Sequence, residues 1–291
     1  MKTTSRKLKD YILRSLTWLF ALLTFAVLFY IIIHILTKGI PHIKPSLFAL
    51  EYTADNVSLF PALLTTVMIV VLSLIIAVPI GVFSAIYLVE YARRGNKLVK
   101  LVRTMAETLS GIPSIIYGLF GSLFFGIWIG WGRSLLSGSF TLAIMILPLI
   151  MRTTEESLKS VPDTYREGSF GLGAGRLRTV FKVVLPAALP GILAGVILSI
   201  GRIVGETAAL MYTLGNTATM TTGLLSSGRT LSLHMYVLTS NALYEGQAYA
   251  TAVVLLVVVI GVNALSAVAA RKFGIRNSEL GMRNKGRKIR S

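Results

Sequence analysis

The chain reads as an all-α polytopic membrane protein with six transmembrane helices. Two observations predict this class. Of its 291 residues, 54% are hydrophobic and only 14% are charged, against about 25% charged in soluble domains. Several uninterrupted apolar runs are long enough to cross a bilayer. A third observation fixes orientation. If the N-terminus is cytoplasmic, the cytoplasmic pieces carry 5 (N-terminus), 5 (Arg93–Arg103), 6 (Arg152–Lys182) and 8 (Arg271–Arg290) basic residues, against Lys38, Lys44, Arg133 and Arg229 outside. That asymmetry follows the positive-inside rule, and it accounts for the net charge of +17 through the anionic inner leaflet. Nucleic acid is not needed as a partner.

The first span is read as Leu13–Leu36. Its apolar run is too long for a cleaved signal and no small-residue cleavage site follows, so it is expected to be retained. A polar connection with Pro41, Pro45, Glu51 and Asp55 leads to the second span, Pro61 to about Val89, in which Pro79 predicts a kink. A basic loop, Ala92–Arg103, precedes the third, Ile112–Ile129. The fourth is the short run Phe140–Met151, which Ser139 and the preceding LLSGS could lengthen. A polar loop, 152–186, leads to the fifth, Ala187–Leu210. A connection rich in Gly, Ser and Thr runs to Gly246, and the sixth span is Ala248–Ala269. The expected organisation is therefore an N-terminal segment with the first span and its outer connection (1–60), a five-helix core (61–273) and a basic tail (274–291).

Enzymatic signatures are missing. The sequence contains no GxxxxGK[ST], HExxH or GxSxG, so it has no P-loop of its own and no zinc-protease or serine-hydrolase motif. With no cysteine, thiol chemistry and zinc–thiolate sites are excluded. His34, His42 and His234 are not paired at metal-site spacing and read as helix-end or loop residues. No cofactor is expected on this chain.

Two features carry function. Arg202 and Glu206 stand almost alone in the apolar fifth span. A charge at mid-membrane costs about 2.5–3.5 kcal/mol on insertion scales and marks a solute path. Their i,i+4 spacing predicts an ion pair on one helix face, with the guanidinium fork suited to an oxyanion. Gly191/Gly195 and Gly201/Gly205 on the same span predict close helix packing. The second feature is the polar stretch Asp163–Pro186. Gly171, Gly173 and Gly175 break it into two short helices, displaying apolar side chains such as Phe170 and Leu172 to a soluble partner.

Glu167-Gly168-Ser169, three residues, Gly173, nine residues, Val183, one residue, Leu185-Pro186 resembles the EAA signature of permease subunits of ATP-binding-cassette importers. Gly168 and Ser169 replace its two alanines and Val183 its isoleucine, with the spacing intact. The likeness covers about residues 61–273. It implies a type I importer core in which Glu167, Gly168, Ser169, Phe170, Gly171, Leu172 and Gly173 dock onto a separate ATPase subunit. GIPSIIYGLFG (Gly111–Gly121) and GRIVGETAAL (Gly201–Leu210) are similar to the phosphate-uptake members, with Ala209 where proline is common. That likeness implies a phosphate path through Arg202, Glu206 and Thr207, with Arg152 near the inner mouth. It also implies a second permease, two ATPase subunits using Mg-ATP and an extracytoplasmic phosphate-binding protein. The implied mechanism is alternating access, with a multi-pass location in the cytoplasmic membrane and both termini inside. The rivals are a permease of the same class for sulfate, molybdate or polyamine, and a stand-alone secondary transporter or channel.

Overall fold

A computed structural model describes residues 2–93, 95–240 and 244–288. Arg94 and the last residues of the basic tail, counted above, lie outside them. The described residues fold into helices α1 (Lys2–Gly39), α2 (Phe60–Ile86), α3 (Lys97–Ser110), α4 (Ser114–Gly121), α5 (Leu135–Lys159), α6 (Asp163–Gly171), α7 (Arg176–Thr179), α8 (Leu185–Val204), α9 (Ala208–Thr213), α10 (Leu231–Ser240) and α11 (Glu245–Lys288). No strand occurs among them. Five helical stretches are long and apolar enough to cross a membrane, and the bent pair α3/α4 makes six if counted as one span.

The core is organised around α5. Two thirds of its apolar window is buried (67%), whereas none of the α1 window is (0%). Leu142 and Ile146 of α5 pack with Ile69 of α2, Ile203 of α8 and Leu210 of α9, all fully buried. Small side chains allow the helices to approach. A Cβ on Gly81 of α2 would lie 2.8 Å from a methyl of Ile150, and one on Gly195 of α8 would lie 2.7 Å from Thr153 Cβ. α1 stands outside this bundle and packs along α11, where Gly39 lies against the Tyr249 backbone and the Val253 side chain.

Several boundaries differ from the sequence reading. The second span continues past α2 through a π-helical turn, Tyr87–Tyr91, and Pro79 sits inside the helix without ending it. The basic segment read as a loop, Ala92–Arg103, is largely the start of the amphipathic helix α3. α3 meets the third span at 102°, because Pro113 cannot continue a helix and biases Ile112 toward extended backbone. That span is α4 with a π-helical continuation, Ser114–Trp128. At about 1.5 Å per residue it is about 22 Å long, short of a hydrocarbon core of about 30 Å. The fourth span runs from Leu135, as LLSGS suggested, but also continues to Lys159. Residues 152–159 therefore belong to a membrane helix and not to the loop. The fifth begins at Arg176, inside the expected loop, and is continuous to Val204. It stops there and does not reach Leu210.

Candidate translocation cavity and coupling helix

The end of α8 decides the fate of the expected ion pair. Gly205 caps α8, and Thr207, with φ −124° and ψ −50°, leaves the helical path before α9 begins at Ala208. The break removes the i,i+4 geometry. No Arg202–Glu206 ion pair forms among the described residues. Glu206 is instead buried and accepts a hydrogen bond from Ala209 N at 3.0 Å. A carboxylate there satisfies an otherwise unpaired amide and opposes the helix dipole. Its carbonyl accepts from Ser232 Oγ at 2.8 Å. Thr207 Oγ1 makes only a long contact, 3.5 Å, with Gly205 O.

Arg202 is therefore free of Glu206. It lines a cavity of about 300 Å³ between α3, α5 and α8, together with Arg152, which the sequence reading placed on the same path. The cavity follows α5 from Pro148 to Lys159. α5 and α8 run antiparallel, since Gly191 meets Ser157 and Gly195 meets Thr153. This register sets Arg202 at the Pro148 end, remote from α6. The other cations of the cavity have carboxylate partners. Arg152 Nε donates to Glu156 Oε1 at 3.0 Å, and Arg103 Nη2 donates to Glu155 Oε1 at 2.7 Å. Lys159 Nζ reaches the same Glu155 oxygen. Arg202 has no ion-pair partner among the described residues. A guanidinium without a carboxylate partner on the wall of a cavity can receive an oxyanion.

The four glycines divide. Gly191 and Gly195 pack against α5 as expected. Gly201 and Gly205 do not: a Cβ on Gly201 would meet nothing within 4 Å, and one on Gly205 only Gly201 O at 3.6 Å. They leave an open surface beside Arg202. The close approach falls at an unexpected place. A Cβ on Gly118 would lie 2.8 Å from Ala209 Cα, so the GIPSIIYGLFG and GRIVGETAAL motifs are in direct contact.

The polar stretch breaks at its glycines as expected, but only α6 is a separate short helix; the second piece, from Arg176, is the start of the continuous fifth span. α6 holds Glu167, Gly168, Ser169, Phe170 and Gly171, and Leu172 and Gly173 form the turn after it. Gly173 has φ +79° and open space around it, a left-handed conformation that an L side chain strains by about 1–2 kcal/mol. Phe170 and Leu172 are exposed (47% and 82%), giving the apolar knob. Ser169 and Thr179 hydroxyls, 2.8 Å apart, tie α6 to the base of the fifth span.

The sequence reading missed what anchors α6 to the rest of the bundle. Arg166 Nη2 donates to Glu90 Oε1 at 2.7 Å and to Leu158 O at 2.9 Å, and its Nη1 donates to Val161 O at 2.9 Å. Glu90, on the π-helical end of the second span, is 8% exposed at its side chain and Arg166 15%. The hydrogen bond to Glu90 raises the Arg166 pKa against the opposing effect of burial. Two signals pointed to this pair: a lone carboxylate at the end of an apolar run, and an arginine directly before the EAA-like glutamate. His234, read as a loop or helix-end residue, lies inside α10 and is buried, with its ring edge-on to Tyr52 at 6.2 Å.

Residues 77–275 match the family described as "Binding-protein-dependent transport system inner membrane component". The chain belongs to this family. It is thus a multi-pass inner-membrane transport component and not an enzyme. Among curated relatives, a probable ABC transporter permease protein YqgI of Bacillus subtilis is 34% identical over 73% of each chain. The phosphate transport system permease protein PstA of Pasteurella multocida is 36% identical over 72% of this chain and 74% of its own. The PstA of Mycobacterium leprae is 36% identical over 68% and 65%. Among solved structures, the fold resembles a bacterial alginate ABC transporter at 16% identity and TM-score 0.70, covering 91% of this chain and 96% of the other. It also resembles the inward-facing methionine transporter MetNI at 22% identity and TM-score 0.59, covering 74% and 94%. At such identities these two speak for the fold alone.

Proposed function

We propose that the chain is a permease subunit of an ATP-driven importer of inorganic phosphate, forming half of the translocation path. The observation that carries this reading is Arg202, without an ion-pair partner among the described residues, lining a cavity that also holds Arg152. The PstA relatives supply the substrate by likeness. Under the same reading, α6 and both termini face the cytoplasm, and a pair of ATPase subunits grips the knob at Phe170 and Leu172. A second permease covers the open surface at Gly201 and Gly205, and an extracytoplasmic binding protein delivers the ion. Mg-ATP belongs to the ATPases. ATP binding moves α6, the helices open outward, and the ion passes Arg202; hydrolysis restores the inward-open arrangement. Glu206 and Thr207 act on the path by fixing the α8–α9 break that aims Arg202, and do not pair with it.

Arg202→Ala is the test. Labelled phosphate uptake by the assembled complex in proteoliposomes is expected to fall to background, with Arg202→Lys retaining a fraction because it keeps charge but loses the fork. Unaltered uptake by Arg202→Ala overturns the reading. Uptake of sulfate or molybdate in place of phosphate by the wild type keeps the site and replaces the substrate.

A further inference from the structure

A second, larger cavity adjoins the first. About 940 Å³ in volume, it opens at the α6 face between α3, the end of the second span and the bases of α6 and α7. Arg103, Glu107 and Lys159 line both cavities, so these side chains form the partition between them. At the partition Glu155, 10% exposed at its side chain, receives Arg103 at 2.7 Å and Lys159 on a single oxygen, Oε1. One carboxylate thus pairs with two cations, while Glu107, which lines both cavities, makes no ion pair with either. Arg103 Nε is buried with no hydrogen-bond partner among the described residues. Beyond the partition the larger cavity carries further cations, among them Lys100, Lys97 and Arg93. From Arg202 toward the α6 face the lining cations are Arg152, then Arg103 with Lys159, then Lys100 and Lys97.

An anion released from Arg202 therefore meets a series of cations, each nearer the α6 face. The first is unpaired, and the partition is the place where a carboxylate already occupies the donors. We propose that Arg103 and Lys159 form a second oxyanion site, the exit site of the path, at which the departing ion displaces Glu155. This rests on the phosphate reading and its orientation. Glu155 then has a defined task. It makes the exit site weak, so that the ion leaves, and it closes the partition when no ion is passing. Binding must be favourable enough to enter and weak enough to leave, as in any conduction path. The site also makes transport sensitive to phosphate on the cytoplasmic side, because a returning ion competes for the same donors.

The test uses the complete complex in proteoliposomes with the ATPases facing the lumen. Unlabelled phosphate is enclosed with Mg-ATP, and initial uptake of labelled phosphate is followed as enclosed phosphate rises. One charge-assisted hydrogen bond gained or lost corresponds to about tenfold or more in affinity. Glu155→Gln is expected to lower the half-inhibiting phosphate about tenfold, and Arg103→Gln to raise it by a similar factor. Enclosed chloride at equal ionic strength is expected to leave this difference between variants in place. Equal half-inhibition in wild type, Glu155→Gln and Arg103→Gln, at equal amounts of assembled complex, overturns the exit site. A shift that chloride at equal ionic strength abolishes overturns it as well, since it would then be charge screening. Should Glu155→Gln fail to assemble, Lys159→Gln, on a side chain 54% exposed, takes its place. It is expected to raise the half-inhibiting concentration, and no rise overturns the proposal. Failure of the phosphate reading itself has a different signature: no labelled phosphate enters with the wild type at any enclosed concentration.

Discussion

Replacing Glu90 with glutamine separates α6 from the second span without changing side-chain size. Arg166 Nη2 and Nε lie 2.7 Å and 3.1 Å from Glu90 Oε1, and both partners are largely buried. Removing one member of a buried pair costs about 3–5 kcal/mol because the other charge stays behind. Arg166 keeps its bonds to Val161 O and Leu158 O, and the amide oxygen of glutamine still accepts, so the low end applies. About 3 kcal/mol corresponds to about a 150-fold shift in the equilibrium between anchored and released α6. Hydrogen exchange followed by mass spectrometry reads this directly. Amides of Asp163–Gly171 are expected to lose protection by up to that factor in Glu90→Gln, with α5 unaffected. In proteoliposomes the number of ATP molecules hydrolysed per phosphate imported is expected to rise. Arg166→Gln should have a similar effect, and the double variant should be no worse than either single one, the signature of a shared interaction. Unchanged exchange in α6 together with an unchanged ATP-to-phosphate ratio refutes the anchoring argument.

Three further outcomes are expected. Gly195→Ala forces a Cβ into Thr153 and should destabilise the chain by about 1–3 kcal/mol, whereas Gly201→Ala, in open space, should change it by less than about 0.5 kcal/mol; melting temperatures of the two variants in detergent decide. Gly173→Val, at φ +79°, should leave the protein in the membrane and raise ATP hydrolysis per ion imported; an unaltered ratio would count against the turn as part of the coupling device. His234 outside the spans is held neutral, its pKa lowered to about 3 first by burial and then by the Arg229 charge. The unfolded chain binds the proton first as pH falls, so this contribution is complete above about pH 6.5 and is lost toward pH 3, at up to about 1.4 kcal/mol per pH unit. His234→Gln should flatten that part of the pH dependence of melting, and an identical profile in both proteins would exclude it.

The parts of the fold legible in the sequence are those set by local chemistry. Apolar length marks the spans, and the glycine at position 173 marks the turn because only glycine takes a left-handed conformation without strain. Arg202 stands out because charge is expensive in an apolar run. What was not legible depends on contacts between distant segments. Glu90 and Arg166 are 76 positions apart, and neither alone reveals the other. The Arg202–Glu206 pair is the instructive error. Periodicity assumed an unbroken helix through Gly205, but a glycine there adds no helix propensity, and Glu206 finds a better partner in the buried backbone amide of Ala209. Likewise Gly201 and Gly205 have the same spacing as Gly191 and Gly195, yet only the latter pair faces α5. Spacing reports which residues share a face and not what that face meets.

Two routes connect α6 to Arg202, and they act on different elements. The first runs through Gly173 into the continuous helix Arg176–Val204, in which Arg176 and Arg202 are about 39 Å apart along the axis at 1.5 Å per residue. A continuous helix transmits a push along its axis, and the break at Gly205–Thr207 lets its end move without dragging α9. The second runs from Arg166 through Glu90 into the second span, which packs against both α5 and α8. An α6 displaced as a unit therefore moves α8 and the second span together, while the bond from Arg166 to Leu158 O also ties it to the end of α5, the element that carries Arg152 and Glu155. A change in the shape of the cavity between α3, α5 and α8 follows from this geometry, because α8 supplies the wall that carries Arg202. Releasing only the second route, by Glu90→Gln, should leave the push on α8 intact. Uncoupling in that variant is accordingly expected to be partial, whereas a defect at Gly173, through which the first route passes, should be the more severe. The opposite ranking of the two variants in ATP hydrolysed per ion imported would reverse the assignment of the dominant route.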